Sequence, residues 1–178
     1  YCFYFILCFE KVLLHQSNSQ LSMHHLGNLQ EKMLRRVFGA LYEVGSLVSE
    51  NGVTARALDI TQGTYYFGSK EFMPSGGIVQ QFRQLYRDGV GGITLGALAT
   101  QVSNTQYDNN SGTLQSIPAG EYTKHVLLTN GDGAQEKYDI VFGQATYANM
   151  NDVTNAPLPS MPSFVDEALL PIDAIIFK

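Results

Sequence analysis

The segment formed by residues 117–147 constrains the fold of this chain more than any other part of the sequence. Apolar and polar residues alternate over residues 122–128, and a second alternating run covers residues 138–142. Asn130-Gly131 and Asp132-Gly133 lie between the two runs, and such dipeptides tolerate the positive φ angles of tight hairpin turns. The pattern predicts a β-hairpin, which we expect to form the centre of a mainly β domain.

The composition is that of a folded, mildly acidic protein. The chain has 178 residues, 44% of them hydrophobic and 15% charged, which is apolar enough for a core and too poor in charge for a disordered chain. A formal net charge of −5 argues against a protein that binds nucleic acid through a basic face. The two cysteines, Cys2 and Cys8, are confined to the first segment, so the main domain has no disulfide framework, and their spacing gives no reason to pair them.

The start of the chain is strongly apolar. Nine apolar or aromatic residues precede Glu10, whereas a membrane-spanning helix needs about 20. The basic start and small-residue cleavage site of a signal peptide are missing from this segment. We therefore expect no membrane span, and two alternatives stay open: a buried element of the fold, or an assembly segment that packs against another copy.

A helical pattern follows this start and a short polar linker. Apolar residues recur at spacings of three and four, which predicts an amphipathic helix over residues 26–48 that Asn51-Gly52 ends. The helix either packs on its own domain or forms a short helical stalk shared by several copies. Residues 1–50 are accordingly assigned to an N-terminal assembly segment. The apolar stripe consists of Leu26, Leu29, Met33, Val37, Ala40, Val44 and Val48.

Residues 51–178 are predicted to form a β-rich domain, an antiparallel β-sandwich or jelly-roll-like body. Closely spaced glycine and proline turn signals separate short apolar runs, as in all-β proteins. Residues 79–87 and 93–102 fit either a strand or a helix. The remaining predictions are a strand at 63–68, a polar loop at 105–112, helical turns within 148–155 and 164–170, a proline-rich crossing at 156–163 and a final strand at 171–178.

The sequence predicts no catalytic, cofactor or metal site. The histidines, His15, His24, His25 and His125, lack the converging arrangement of metal ligands. Residues 89–96 are rich in glycine but lack the lysine of a phosphate-binding loop, and we expect a tight turn there. We therefore expect a protein that is not an enzyme. Its candidate carboxylates are scattered: Asp59, Glu71, Asp88, Glu121 and Asp139.

Several phrases of the sequence, taken in order, resemble a domain of tailed-bacteriophage structural proteins of the tail-fibre or virion-appendage type. The resemblance covers residues 53–178. The phrases that carry it are Leu58-Asp59-Ile60, Gly63-Thr64-Tyr65-Tyr66-Phe67-Gly68, Pro74-Ser75-Gly76-Gly77, Tyr86-Arg87-Asp88-Gly89, Ile117-Pro118-Ala119-Gly120-Glu121-Tyr122 and Phe142-Gly143-Gln144-Ala145-Thr146-Tyr147.

The resemblance implies a homotrimeric or otherwise oligomeric protein of the virion. Its partners would be further copies, other virion proteins and a host surface glycan or receptor, and its role would be in particle assembly or host attachment. The alternatives are a carbohydrate-binding module and a glycan depolymerase, and the latter needs two carboxylates about 5–10 Å apart. Tyrosine offers apolar area with a polar tip, and the candidate exposed contact residues are Tyr65, Tyr66, Tyr86, Tyr107 and Tyr147.

Overall fold

The structure is a computed structural model that describes residues 20–130, 138–162 and 169–178, with side chains from residue 27 onward in the first helix. The predictions made for residues 1–19, including Cys2, Cys8 and His15, lie outside the described residues. So do residues 131–133 of the predicted hairpin turn and residues 164–168 of the predicted second short helix.

The chain is mainly β with an N-terminal helix, which confirms the predicted fold class. Its described elements are α1 (Gln20–Phe38), β1 (Ala40–Gly45), β2 (Val48–Glu50), β3 (Leu58–Ile60), β4 (Gly63–Phe67), β5 (Lys70–Phe72), β6 (Phe82–Arg87), β7 (Ile93–Ala99), β8 (Gln106–Asp108), β9 (Leu114–Ser116), β10 (Thr123–Thr129), β11 (Tyr138–Val141), α2 (Met150–Asn155) and β12 (Leu170–Phe177).

The predicted hairpin is the centre of the fold. β10 and β11 pair antiparallel, with Thr129 opposite Tyr138, and the predicted final strand, β12, pairs antiparallel with the other edge of β10. All seven residues of β10 are buried, because sheet neighbours flank the strand and apolar layers cover both of its faces. The sheet has the order β12-β10-β11-β6-β7, and only the β11–β6 pair within it is parallel.

Two apolar clusters lie on opposite faces of this five-stranded sheet and give the body its sandwich-like form. The first includes β3, which pairs with β2 in a separate sheet. Fully burying a leucine or isoleucine stabilises the fold by about 1.5–3 kcal/mol, so this layer contributes much of the folding energy. The first cluster consists of Leu58, Ile60, Phe82, Val102, Leu127, Tyr138, Ile140 and Phe142, and the second of Leu85, Val126, Leu128 and Val141.

The predicted helix over residues 26–48 is wrong in its extent. α1 ends at Phe38, and residues 40–45 and 48–50 form β1 and β2, which pair with β4 and β3. Gly39 has a φ of 61°, and its N–H donates to the Arg35 carbonyl, which is the usual glycine stop of a helix. Within the described residues no helix is long and apolar enough to cross a membrane.

Residues 105–112, predicted as a polar loop, contain the short strand β8, which pairs antiparallel with β9. The residues whose pattern left strand and helix open became the strands β6 and β7. The tight turn predicted near residue 89 is present, since the Asp88 N–H donates to the Gly92 carbonyl. The helical turn expected within 148–155 is α2.

Three edge strands share an irregularity. β1, β7 and β12 each lie at a sheet edge, and each contains one more residue than its partner at a break in register. The extra residue is Glu43 in β1 and Ile172 in β12, and in β7 it lies between Leu95 and Leu98. Such bulges bend and twist a strand locally.

Candidate functional site

The helix α1 exposes its apolar stripe to solvent. Leu29, Met33 and Val37 are 44%, 51% and 68% exposed. From residue 27 to the end of α1, only Glu31 and Leu34 are even half-buried. An amphipathic helix normally buries such a stripe, so this one lacks a partner surface within the described part of its own subunit.

The opposite side of α1 contacts the body. Arg35 lies over the Phe67 ring, with its guanidinium carbon 4.7 Å from the ring centroid. Glu31 accepts hydrogen bonds from Arg35 Nε (3.0 Å) and from the Ser69 hydroxyl in the turn between β4 and β5. Successive helix residues are about 100° apart, which puts Glu31 about 200° from Met33. The polar side of α1 therefore holds it to its own subunit while the stripe points away.

The predicted exposure of Tyr65 is wrong. Tyr65 lies in β4, where alternate residues point into the core, and it is buried and stacked on Phe72 with ring centroids 5.1 Å apart. The other four predicted contact tyrosines are half-buried, and their role as contact residues stays a prediction. They are Tyr66 in β4, Tyr86 in β6, Tyr107 in β8, and Tyr147, which bridges to Tyr122.

Several of the candidate carboxylates fix the backbone. Asp59 accepts hydrogen bonds from Asn51 Nδ2 (3.0 Å) and from the Val79 N–H (2.9 Å). Asp88 accepts hydrogen bonds from the backbone of its own tight turn, and these bonds hold its pKa below the usual value. Asp139 accepts from Asn130 Nδ2 at 2.7 Å, next to the hairpin turn. These carboxylates have structural partners rather than the open setting of a catalytic pair.

An ion pair between the half-buried Arg87 and the buried Asp108 joins β6 to β8, and no sequence pattern predicts it. Asp108 is buried, and its Oδ2 accepts from both the backbone N–H and Nε of Arg87 at 2.9 Å. Oδ1 accepts from the Asn110 N–H (2.7 Å), and Arg87 Nη2 donates to the Asp108 carbonyl (2.9 Å). This one carboxylate therefore connects the five-stranded sheet to the β8–β9 pair.

His125 is a core residue rather than a metal ligand. Its Nδ1 accepts from the Gly143 N–H (2.8 Å), so the proton is on Nε2 and is donated to the Ser103 carbonyl (3.1 Å). The ring packs against Phe142 and Phe177. Burial lowers the His125 pKa to about 4, although the contact with Ser103 opposes the shift. Within the described ranges no three His, Cys, Asp or Glu side chains group as metal ligands.

Lys124, which precedes His125 in β10, is a buried cation with a structural role. Its Nζ donates to the carbonyls of Thr154 (3.0 Å) and Ala156 (2.7 Å) at the end of α2. Cations suit this end of a helix because the last carbonyls lack partners within the helix.

We expect Lys124→Met to lower the free energy of unfolding by about 2 kcal/mol, because it leaves two carbonyls without their charged donor. Urea unfolding followed by circular dichroism measures the change. Lys70→Met is the control: Lys70 is exposed over the Phe72 ring, and its loss should cost at most about 1 kcal/mol. Equal losses for the two variants would contradict the role assigned to Lys124.

An open groove of about 640 Å³ lies beside β7, between the turn at residues 91–92 and the proline-rich crossing. Arg87, Ile93, Leu95 and Met161 contribute to its walls, and no described residue that lines it is aromatic. Sugar rings bind well on aromatic faces because these offer flat apolar area. The groove therefore lacks the surface expected of a carbohydrate-binding module.

Comparison of the chain with protein-family models, with curated proteins and with solved structures finds no match. The feature that most needs a partner is the outward-facing stripe of α1.

Proposed function

We propose that this chain is a structural subunit of a bacteriophage virion, part of a homo-oligomeric fibre or appendage that acts in particle assembly or host attachment. The observation that carries the proposal is the orientation of α1. Its stripe of Leu29, Met33 and Val37 is exposed, while Glu31 and Arg35 hold the opposite side to the body. A helix oriented in this way presents an apolar surface that another copy can cover.

The polar residues support a structural role over an enzymatic one. Asp59, Asp88, Asp108 and Asp139 each accept hydrogen bonds that fix a turn or join two elements. A glycan depolymerase would need two carboxylates facing each other across an open groove. The phrases that resemble tail-fibre and appendage domains give the proposal its viral setting.

Disruption of the stripe tests the assembly part of the proposal. The parent chain should form an oligomer, three copies in the proposed trimer, and Leu29→Glu/Met33→Glu should convert it to a folded monomer. Each glutamate places a charge in an interface that would otherwise bury apolar side chains. Sedimentation equilibrium measures the mass, and circular dichroism checks the fold.

Thr100→Glu/Ala148→Glu is the matched control, since it adds the same two charges at exposed positions outside α1 and outside the β1-β4-β5 sheet. It should leave the oligomer intact. A parent chain that is monomeric at micromolar concentration would contradict the proposal, as would an oligomer that tolerates both stripe substitutions.

The viral setting needs a separate test. Particles purified from the lysate of the bacterium that carries this gene should contain the chain, detected by peptide mass spectrometry in a constant ratio to the other virion proteins. Its presence only in the soluble cell fraction would contradict a place in the virion.

A further inference from the structure

The three-stranded sheet β1-β4-β5 has an exposed outer face. In β4, Gly63, Tyr65 and Phe67 are buried, whereas Thr64 and Tyr66 point to the other side and are half-buried. Leu41 pairs with Tyr66 and Val44 pairs with Thr64, so these two apolar residues lie on the same outer side. They are 47% and 59% exposed. The bulge at Glu43 brings both residues to one face although they are three positions apart.

The same face is negatively charged. Glu71 in β5 pairs with Tyr66, and Glu43 lies at the bulge of β1. Partial burial, then the charges of Glu43 and Glu71 and a hydrogen bond to Glu43, raise the pKa of the Tyr66 hydroxyl. The outer face therefore has an apolar row on β1 and two exposed carboxylates around Tyr66.

The helix α1 has the complementary pattern. Its apolar stripe from Leu29 to Val37 is about 12 Å long, and the row from Leu41 to Val44, which spans two residues of β4, is about 7 Å long. Lys32 and Arg36, both exposed, flank the stripe on one side and are offset by about 6 Å along the helix. Glu71 is level with Leu41, and Glu43 lies at the bulge between Tyr42 and Val44, so the two carboxylates are offset by about 5 Å along the strands.

The helix is poorly placed to cover this face of its own subunit. One residue, Gly39, separates the end of α1 from the start of β1, whereas connections between helices and strands usually need two or more residues to fold back. The polar side of α1 is also held at the Gly68–Ser69 turn by Glu31. The contact therefore fits two copies rather than one.

We propose that α1 of one copy packs on the outer face of the β1-β4-β5 sheet of a second copy, with the stripe against Leu41 and Val44 and with Lys32 and Arg36 paired to Glu43 and Glu71. The proposal rests on the proposed homo-oligomer and names its interface. Repeated around a threefold axis, such a contact is head-to-tail and closes into a ring. A closed ring of three satisfies the trimer implied by the resemblance.

Charge reversal tests this interface. Lys32→Glu/Arg36→Glu and Glu43→Lys/Glu71→Lys should each weaken association at least tenfold, because each puts like charges opposite each other. The chain that carries all four substitutions should regain the parent affinity. An equimolar mixture of the two double variants should associate more tightly than either variant alone but less tightly than the parent, because a ring of three built from two kinds of subunit keeps one like-charged contact. Sedimentation equilibrium measures the association, and circular dichroism checks each fold.

Glu121→Lys/Asp173→Lys is the matched control for Glu43→Lys/Glu71→Lys. It raises the net charge by the same amount at positions outside the β1-β4-β5 sheet, and it should leave association unchanged. If Glu43→Lys/Glu71→Lys associates like the parent while Leu29→Glu/Met33→Glu is monomeric, the interface is helix against helix. That result overturns this inference and leaves the proposed function standing. Failure of the four-residue variant to regain affinity overturns the proposed pairing, whereas a monomeric parent chain overturns both proposals.

Discussion

Replacing Asp108 by alanine is expected to lower the free energy of unfolding by about 3 kcal/mol, because removing one partner of a buried ion pair leaves the other charge without its partner. The Asp108 carboxylate is the acceptor for two Arg87 donors and for the Asn110 N–H. The partial exposure of Arg87, 28% of its side chain, allows water to reach the guanidinium and limits the loss. Urea unfolding at neutral pH measures the change.

Asp88→Ala is the matched control. Its carboxylate also accepts backbone hydrogen bonds, but in an exposed turn where water can replace them, so its loss should cost far less than the loss of Asp108. The loss of stability in Arg87→Met/Asp108→Ala should be smaller than the sum of the losses in the two single variants, because neither charge is then left without its partner. A loss below about 1 kcal/mol for Asp108→Ala would show that β8 is held to the sheet by other contacts.

The second large effect is acid destabilisation through His125. Its pKa is about 4 in the folded chain and about 6.5 when unfolded, so the unfolded state binds the proton more readily between these values. Stability is thus fully present above about pH 6.5 and falls as the pH is lowered toward 4. The expected loss over this window is about 3 kcal/mol, measured from urea unfolding at a series of pH values.

Two variants separate this effect from the titration of carboxylates. His125→Gln should be less stable at neutral pH, because its amide replaces the fitted imidazole, but its stability should depend much less on pH between 6.5 and 5. His15→Gln/His24→Gln/His25→Gln should keep the parent dependence. If His125→Gln loses stability with acid as steeply as the parent does, another group is responsible.

The centre of the fold was predictable because its signals are local. Alternation over residues 122–128 and 138–142 matches β10 and β11, and the apolar end of the chain forms β12. Period-2 patterns and glycine-rich turns depend on residues within a few positions of each other. The parallel pairing of β11 with β6 depends on residues far apart in the sequence, and no local pattern specifies it.

The length of α1 was mispredicted because apolar residues of the strands that follow keep the helical spacing. Ala40, Val44 and Val48 continue the helical spacing of Leu29, Met33 and Val37, but they lie in strands. Gly39, which has a φ of 61° and ends α1, is the local signal that separates the helical part of this pattern from the strands. Tyr65 was misplaced for a related reason, since the neighbouring pair Tyr65-Tyr66 gives no indication of which ring faces the core.

The exposed stripe was foreseen only in part. The sequence showed that α1 needs a partner, but not that Glu31 and Arg35 would hold its polar side to the body.

The Arg87–Asp108 pair is separated by 21 positions, and Asp108 lies where a polar loop was predicted. Contacts of this kind become visible only when the strands are placed side by side.

The extra residues in β1, β7 and β12 have a consequence for how copies of this protein meet at high concentration. A straight, open strand is a template onto which another chain can add by backbone hydrogen bonds, and such growth leads to fibrillar aggregates. A bulge at each of these three borders interrupts that template. We therefore expect the folded chain to resist edge-to-edge growth along β1, β7 and β12 when it is concentrated.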